Sequence, residues 1–163
     1  MTIVIVGIIS IIVGPILIQG FNSFFASAGV TDMDAQGKLA MERMSREIRG
    51  INAPASDIVT MNANQFAFLL SPGNGVRYRL NGNQIDRTTY SVVFGFWVFP
   101  NVNLLATNVS ALTFTYLQRD LVTPATGVAN IWMIQIQFAF AYAGGGFAAN
   151  KTFRTSVFLR NAT

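Results

Sequence analysis

Residues 1–51 read MTIVIVGIISIIVGPILIQGFNSFFASAGVTDMDAQGKLAMERMSREIRGI, and two patterns run end to end within them. No charged side chain occurs before Asp32, and residues 1–18 are apolar apart from Thr2 and Ser10. As a helix this first stretch spans about 27 Å, close to the roughly 30 Å hydrocarbon depth of a bilayer. A cleaved secretory signal would use Ala26-Ser27-Ala28 as its A-x-A-like site. However, the stretch has no positive n-region and exceeds the usual apolar length. A buried core helix is also disfavoured by so long and uniform an apolar run. A retained membrane-spanning helix fits best. Gly14-Pro15 lies inside it, and the missing donor and ring clash of proline predict a kink or local melting there.

From Asp32 the pattern changes without a break in helical period. Met33, Gly37, Ala40, Met41, Met44, Ile48 and Ile51 recur at three- and four-residue steps, which is one face of a helix. Lys38, Glu42, Arg46 and Arg49 fall on the other side, with Arg43 and Glu47 beside them. Glu42–Arg46 and Arg43–Glu47 are i,i+4 pairs, and Glu42, Arg43, Arg46 and Glu47 read as a solvated face. Gly50, Asn52 and Pro54 then stop the helix. One helix of roughly 50 residues and about 75 Å results.

After Pro54 the period becomes two. Residues 65–70, 76–80, 90–99, 109–117, 131–142 and 152–160 read as strands rich in β-branched and aromatic residues. Asn81-Gly82 supplies a tight hairpin turn into Gln84-Ile85-Asp86-Arg87. In 131–142, Trp132, Ile134, Ile136, Phe138, Phe140 and Tyr142 alternate with smaller or polar side chains. Residues 90–99 (YSVVFGFWVF) are apolar on both faces, which reads as a central strand buried on both sides, or else as a subunit contact. The fold class is α+β: a long helix laying its stripe on an antiparallel sheet. Three parts follow: 1–30 as the apolar half-helix, 31–51 as the amphipathic half, and 52–163 as the β domain.

Composition narrows function. The chain of 163 residues is 52% hydrophobic and 11% charged, with no Cys and no His. Thiol nucleophiles, disulfides, imidazole bases and most zinc, haem and copper sites are thereby removed. Asp32 and Asp34 lie two apart and cannot share a helix face, while Asp57, Asp86 and Asp120 are isolated. No calcium-loop spacing or carboxylate pair emerges. The expectation is no enzyme, no metal and no cofactor. The net charge of +4 could draw an anionic surface. Arg77, Arg79, Arg87, Arg119, Lys151, Arg154 and Arg160 are scattered, however, which argues against a nucleic-acid partner. Asn108, Asn150 and Asn161 head glycosylation sequons, a number close to chance for this composition.

Four stretches carry a family resemblance. They are residues 39–49 (LAMERMSREIR), 76–83 (VRYRLNGN), 108–116 (NVSALTFTY) and 155–161 (TSVFLRN), taken in that order behind the kinked apolar helix. Together they resemble type IV pilins and type II secretion pseudopilins, closest to the PilW-type minor pilins and J-type pseudopilins. In that family a short basic leader is cleaved after Gly, ahead of a start resembling Phe-Thr-Leu-Ile-Glu. Gly7 and Pro15 resemble the Gly and Pro of the family's apolar helix. The resemblance therefore implies about seven mature residues and a Lys/Arg-bearing leader upstream of Met1, with the glutamate pairing a neighbouring subunit's amino terminus. A second alignment makes Met1 the mature start, with Ile5 in the glutamate's place.

The resemblance implies a filament subunit that waits in the inner membrane and then joins a periplasmic or extracellular fibre. Its partners would be identical or related pilin subunits, an assembly platform and a prepilin peptidase. Ile3, Val6, Gly7, Ile11, Gly14, Pro15, Leu17, Phe21, Phe24 and Phe25 would line the filament core. A competing class is a single-span, membrane-anchored β domain that binds a soluble ligand and never polymerises. Pilus, secretion pseudopilus, major subunit and minor subunit all remain open at this level.

Overall fold

The computed structural model describes residues 2–93, 96–144 and 147–159, with side chains described over 13–91, 98, 101–143 and 148–159. A single helix, α1 (Thr2–Ile48), accounts for the whole N-terminal third. The local melting expected at Pro15 does not occur, because the helix runs through that residue unbroken. The apolar stretch and the amphipathic stretch are thus one rod. A short helix α2 (Pro54–Asp57) follows, and the Asp57 carboxylate accepts the backbone N–H groups of Asn52 and Ala53 at 3.2 and 2.9 Å. That bond ties down the turn leaving α1.

Eight strands come next: β1 (Ile58–Met61), β2 (Gln65–Ser71), β3 (Asn74–Asn81), β4 (Gln84–Val93), β5 (Phe96–Ala106), β6 (Val109–Leu117), β7 (Met133–Gly144) and β8 (Phe147–Phe158). They form two antiparallel sheets rather than the one expected, a meander in the order β1-β2-β3-β4-β5 and a second in the order β6-β7-β8. Turn chemistry sets the registers. Pro72-Gly73 joins β2 to β3 with Gly73 at φ +78°, as a type II turn requires. Gly82-Asn83 closes β3 onto β4 with Gly82 at φ +62°.

The stretch 90–99 is not one strand. Val93 pairs with Phe96, so the run is split between β4 and β5, the latter an edge of the five-stranded sheet. An apolar run divided between two paired strands looks the same in sequence as one long buried strand. Pro100 sits within β5, where an edge tolerates its missing donor. Residues 94 and 95 lie outside the described part.

Backbone bonds stitch the sheets together: Phe114 N–H donates to Ala63 O at 2.6 Å and Val109 N–H to Asn83 O at 2.9 Å. Between them Phe66, Phe68, Tyr78, Phe114 and Tyr116 form a ring cluster with neighbouring centroids 5.2–6.3 Å apart. Ile134, Ile136, Phe138 and Phe140 of β7 point into the same core, which Met33, Ala40, Met44, Ile48 and Ile51 close from the helix side.

Candidate assembly surface

The helix divides where it meets the sheets. From Ala26 onward one face is covered: Ala26, Met33, Gly37, Ala40, Met44, Ile48 and Ile51 are buried, and Met41 is partly buried. Small residues let the rod come close. The Tyr142 ring lies only 2.5 Å from where a Cβ on Gly29 would sit, and the Phe153 ring fills the equivalent space at Gly37. Tyr142 also donates its hydroxyl to Phe25 O at 3.4 Å.

Polar contacts pin the same seam. Gln36 accepts the Thr107 N–H at 3.1 Å. Asp34 takes Lys151 at 2.5 Å and Lys38 at 2.7 Å, and Lys151 followed by Lys38 hold its carboxyl below the usual range. At the far end Glu47 is gripped from three sides. Tyr78 donates to it at 2.6 Å, Arg87 Nε at 3.0 Å and Arg43 Nε at 3.2 Å. Burial works against the Glu47 anion, but the bonds from Tyr78, Arg87 and Arg43 outweigh it and lower the carboxyl's pKa. Burial, followed by the bond to Glu47, raises the Tyr78 phenol.

Glu47 therefore corrects the solvated reading of the charged face, since its side chain is only 14% exposed. The sequence held the clue: Glu47 stands three residues after Met44 and seven after Ala40, on the margin of the apolar stripe. Of the two expected i,i+4 pairs on that face, Arg43–Glu47 forms, while Glu42 and Arg46 lie exposed. The Asp34–Lys151 and Gln36–Thr107 contacts join residues more than 70 apart, and no local pattern marks them.

The other half of the rod leaves its large apolar side chains uncovered, among the described residues. Ile16, Leu17, Ile18, Phe21, Phe24 and Phe25 are all exposed, Phe24 at 68%. Gly14 is partly exposed and Pro15 exposed. Ile3, Val6, Gly7 and Ile11 lie on helical backbone, but their side chains are outside the described part. At 100° per residue, the exposed apolar residues from Val13 to Phe25 sweep an arc of about 200°. Gln19, Asn22 and Ser23 fill the gap, in line with the face that docks farther along the helix. The helix segment Val13–Ile48 contains a window long and apolar enough to cross a membrane, 6% of it buried. The window free of charge ends before Asp32.

Elsewhere, Asp86 accepts from Asn81 at 2.8 Å and lies 3.7 Å from Arg79. Asn108, at φ +58°, and Asn150 are exposed, whereas Asn161 lies outside the described part. Among the described residues, no group of three or more acidic side chains converges to hold a metal ion.

No established protein family matches the sequence, and no curated protein does. Solved structures do match, among them a type IV-like pilin from Thermus thermophilus. It superposes with a TM-score of 0.58 over 80% of this chain and 98% of its own, at 10% identity. The fold is that of a type IV-like pilin. At that identity the match speaks for architecture alone: a long N-terminal apolar helix with antiparallel sheets.

Proposed function

We propose that this chain is a structural subunit of a type IV pilus or a related pilin-like filament, held in a membrane by its apolar half-helix before assembly. The observation that carries this reading is the 200° apolar arc of Val13–Phe25, whose large apolar side chains are all exposed. A single partner helix covers a stripe of roughly 100°. An arc twice as wide calls for lipid on all sides or for several neighbouring helices, and a polymer supplies the latter. In such a polymer Leu17, Phe21, Phe24 and Phe25 sit in the core, with the sheet domains outside. The pilin-like fold supports the same role.

The alternative is a single-span anchored β domain, and it is separated from the filament by substitution on the arc. Leu17→Arg and Phe24→Gln leave an anchored domain on the membrane and functional, but they break a helical core. Electron microscopy of fibres sheared from cells making the protein, labelled with antibody to the β domain, reads the result directly. Labelled fibres that vanish in both variants support the filament. No labelled fibre from the unmodified chain, in cells that retain it in the membrane, defeats it.

A further inference from the structure

The loop between β6 and the 3-10 turn at Val128–Asn130 is a stiff apolar knob. Asp120 accepts the N–H groups of Val122 and Thr123 at 3.1 and 2.9 Å, together with the Thr123 hydroxyl. Gln118 N–H donates to Thr123 O at 2.9 Å, and Leu121 N–H to Gln118 O at 3.0 Å. These bonds hold Leu121 at φ +61°, a left-handed conformation that a branched side chain adopts only when its surroundings impose it. The product is Val122 at 78% exposure, and among the described residues no large apolar side chain is more exposed. Folding of the single chain gains nothing from that display.

An open groove between α1 and β8 has the matching character. Met41 and Phe153 give it an apolar floor, and Lys38, Arg46 and Arg49 surround it, with Glu42 as the one acid. The excess of cations answers the Asp120 charge at the neck of the knob. Arg119, the neighbouring cation, is turned onto the Trp132 ring 5.2 Å away.

We propose that the groove receives the Asp120–Thr123 knob of a second copy of this chain, with Leu121 and Val122 over Met41 and Phe153 and Asp120 facing Lys38, Arg46 and Arg49. The inference rests on the filament reading and supplies a contact outside its helical core. Geometry favours a second copy. Tyr142 lies beside Gly29 and Phe153 beside Gly37, so four residues of β8 (about 13 Å) advance with eight of α1 (about 12 Å), and the strands run along the rod. Nine residues of β7 from Tyr142 to Met133 then cover about 30 Å, which brings the knob level with the end of α1. The groove is centred several residues lower. Two parallel copies joined this way are offset along the axis by about 10 Å. Knob and groove are different surfaces, so the contact is head-to-tail and repeats without closing.

The chain has no cysteine, so introduced pairs report cleanly. In the full-length protein, Val122→Cys with Arg46→Cys, oxidised in sheared fibres, is expected to give a ladder of dimers, trimers and higher species, while each single variant gives none beyond a dimer. Lys38→Cys replaces Arg46→Cys if the first pair fails to accumulate. Fibres that form normally but show no ladder with either pair overturn the contact and leave the filament reading standing. Cross-linking of Arg46→Cys to a different protein overturns it as well. Absence of fibres from the unmodified chain removes both.

Discussion

The two halves of α1 share a backbone and differ in what they offer. Below Ala26 the helix turns large side chains outward, with Ile16, Leu17, Phe21, Phe24 and Phe25 all exposed. Above it the docked face is built from small or unbranched residues (Ala26, Gly29, Met33, Gly37, Ala40, Met44), into which Tyr142 and Phe153 press their rings. The free half turns knobs outward, while the docked half offers holes at Gly29 and Gly37 beside the buried Met44 and Ile48. Two kinds of surface are thereby kept apart: the holes are already filled from within the chain, and the knobs are left exposed.

The largest expected effect tests that division directly. Met44 is fully buried, and Met44→Asp sets an unpaired charge in the core, expected to cost about 4 kcal/mol. Leu17→Asp, on the same helix, is expected to change the melting of the β domain by no more than about 0.5 kcal/mol while abolishing assembly. Thermal unfolding of both full-length variants in detergent, followed by circular dichroism, compares them. Equal losses would mean that the halves are not independent.

Next comes the carboxylate clamp at the top of the docked half. Glu47→Gln keeps the shape but leaves Arg87, 7% exposed, without its counter-charge, for a loss of about 3 kcal/mol. Acid should mimic it. The folded Glu47 carboxyl titrates below its unfolded value of 4.5, so the unfolded chain binds the proton first as pH falls. The clamp's contribution is therefore complete above about pH 5 and fades as pH drops through 4.5 toward the lower folded value. Melting temperature against pH should fall less steeply below pH 5 in Glu47→Gln than in the unmodified chain. Parallel curves would mean that Glu47 is not the group responsible.

How legible these features were depends on their range. Periodicity alone places Met33, Ala40, Met44 and Ile48 on one face, because helical spacing is local information. The Asn81-Gly82 signal is local too and marks the turn into β4 to within one residue: Asn81 pairs with Gln84, so the loop is Gly82-Asn83, and glycine takes its φ of +62° at little cost. The division of 90–99 between two strands was hidden because no polar residue interrupts the apolar run after Ser91. The division into two sheets depends on β6 leaving the meander, and strand partners are set by contacts distant in sequence. Lys151 reaching Asp34 across 117 residues belongs to that second kind.

A smaller effect tests the holes. At Gly37 an added Cβ would collide with the Phe153 ring, so Gly37→Val must push the ring or the helix aside. Overpacking of this sort is expected to cost about 2 kcal/mol. Gly20, in the free half, has nothing near the same position, and Gly20→Ala should be neutral or raise helix stability by up to about 1 kcal/mol. Opposite signs in the two melting curves would confirm that close approach, rather than glycine's helix propensity, decides the docked site. The double variant Gly37→Val/Phe153→Ala should lose less than the two single losses combined, because the ring that collides has gone.

The smallest expected effect belongs to Asp34, and it separates a held charge from a merely paired one. Asp34 contacts two lysines, as Glu47 contacts two arginines, and its carboxyl is lowered by Lys151 first and Lys38 second. Yet Lys38 is 72% exposed and Lys151 42%, so water and salt compete for every partner. Ordering two long side chains costs entropy that an exposed pair barely offsets. Asp34→Asn should therefore leave the melting temperature unchanged at physiological ionic strength. A small drop should emerge only when salt is reduced and the screening length grows. Any such contribution is present above the ordinary carboxylate value of 3.8 and fades as pH falls through it. A loss at physiological salt as large as that of Glu47→Gln would mean that the seam between α1 and β8 is closed to solvent, and that the docked half is held by charge as much as by its holes.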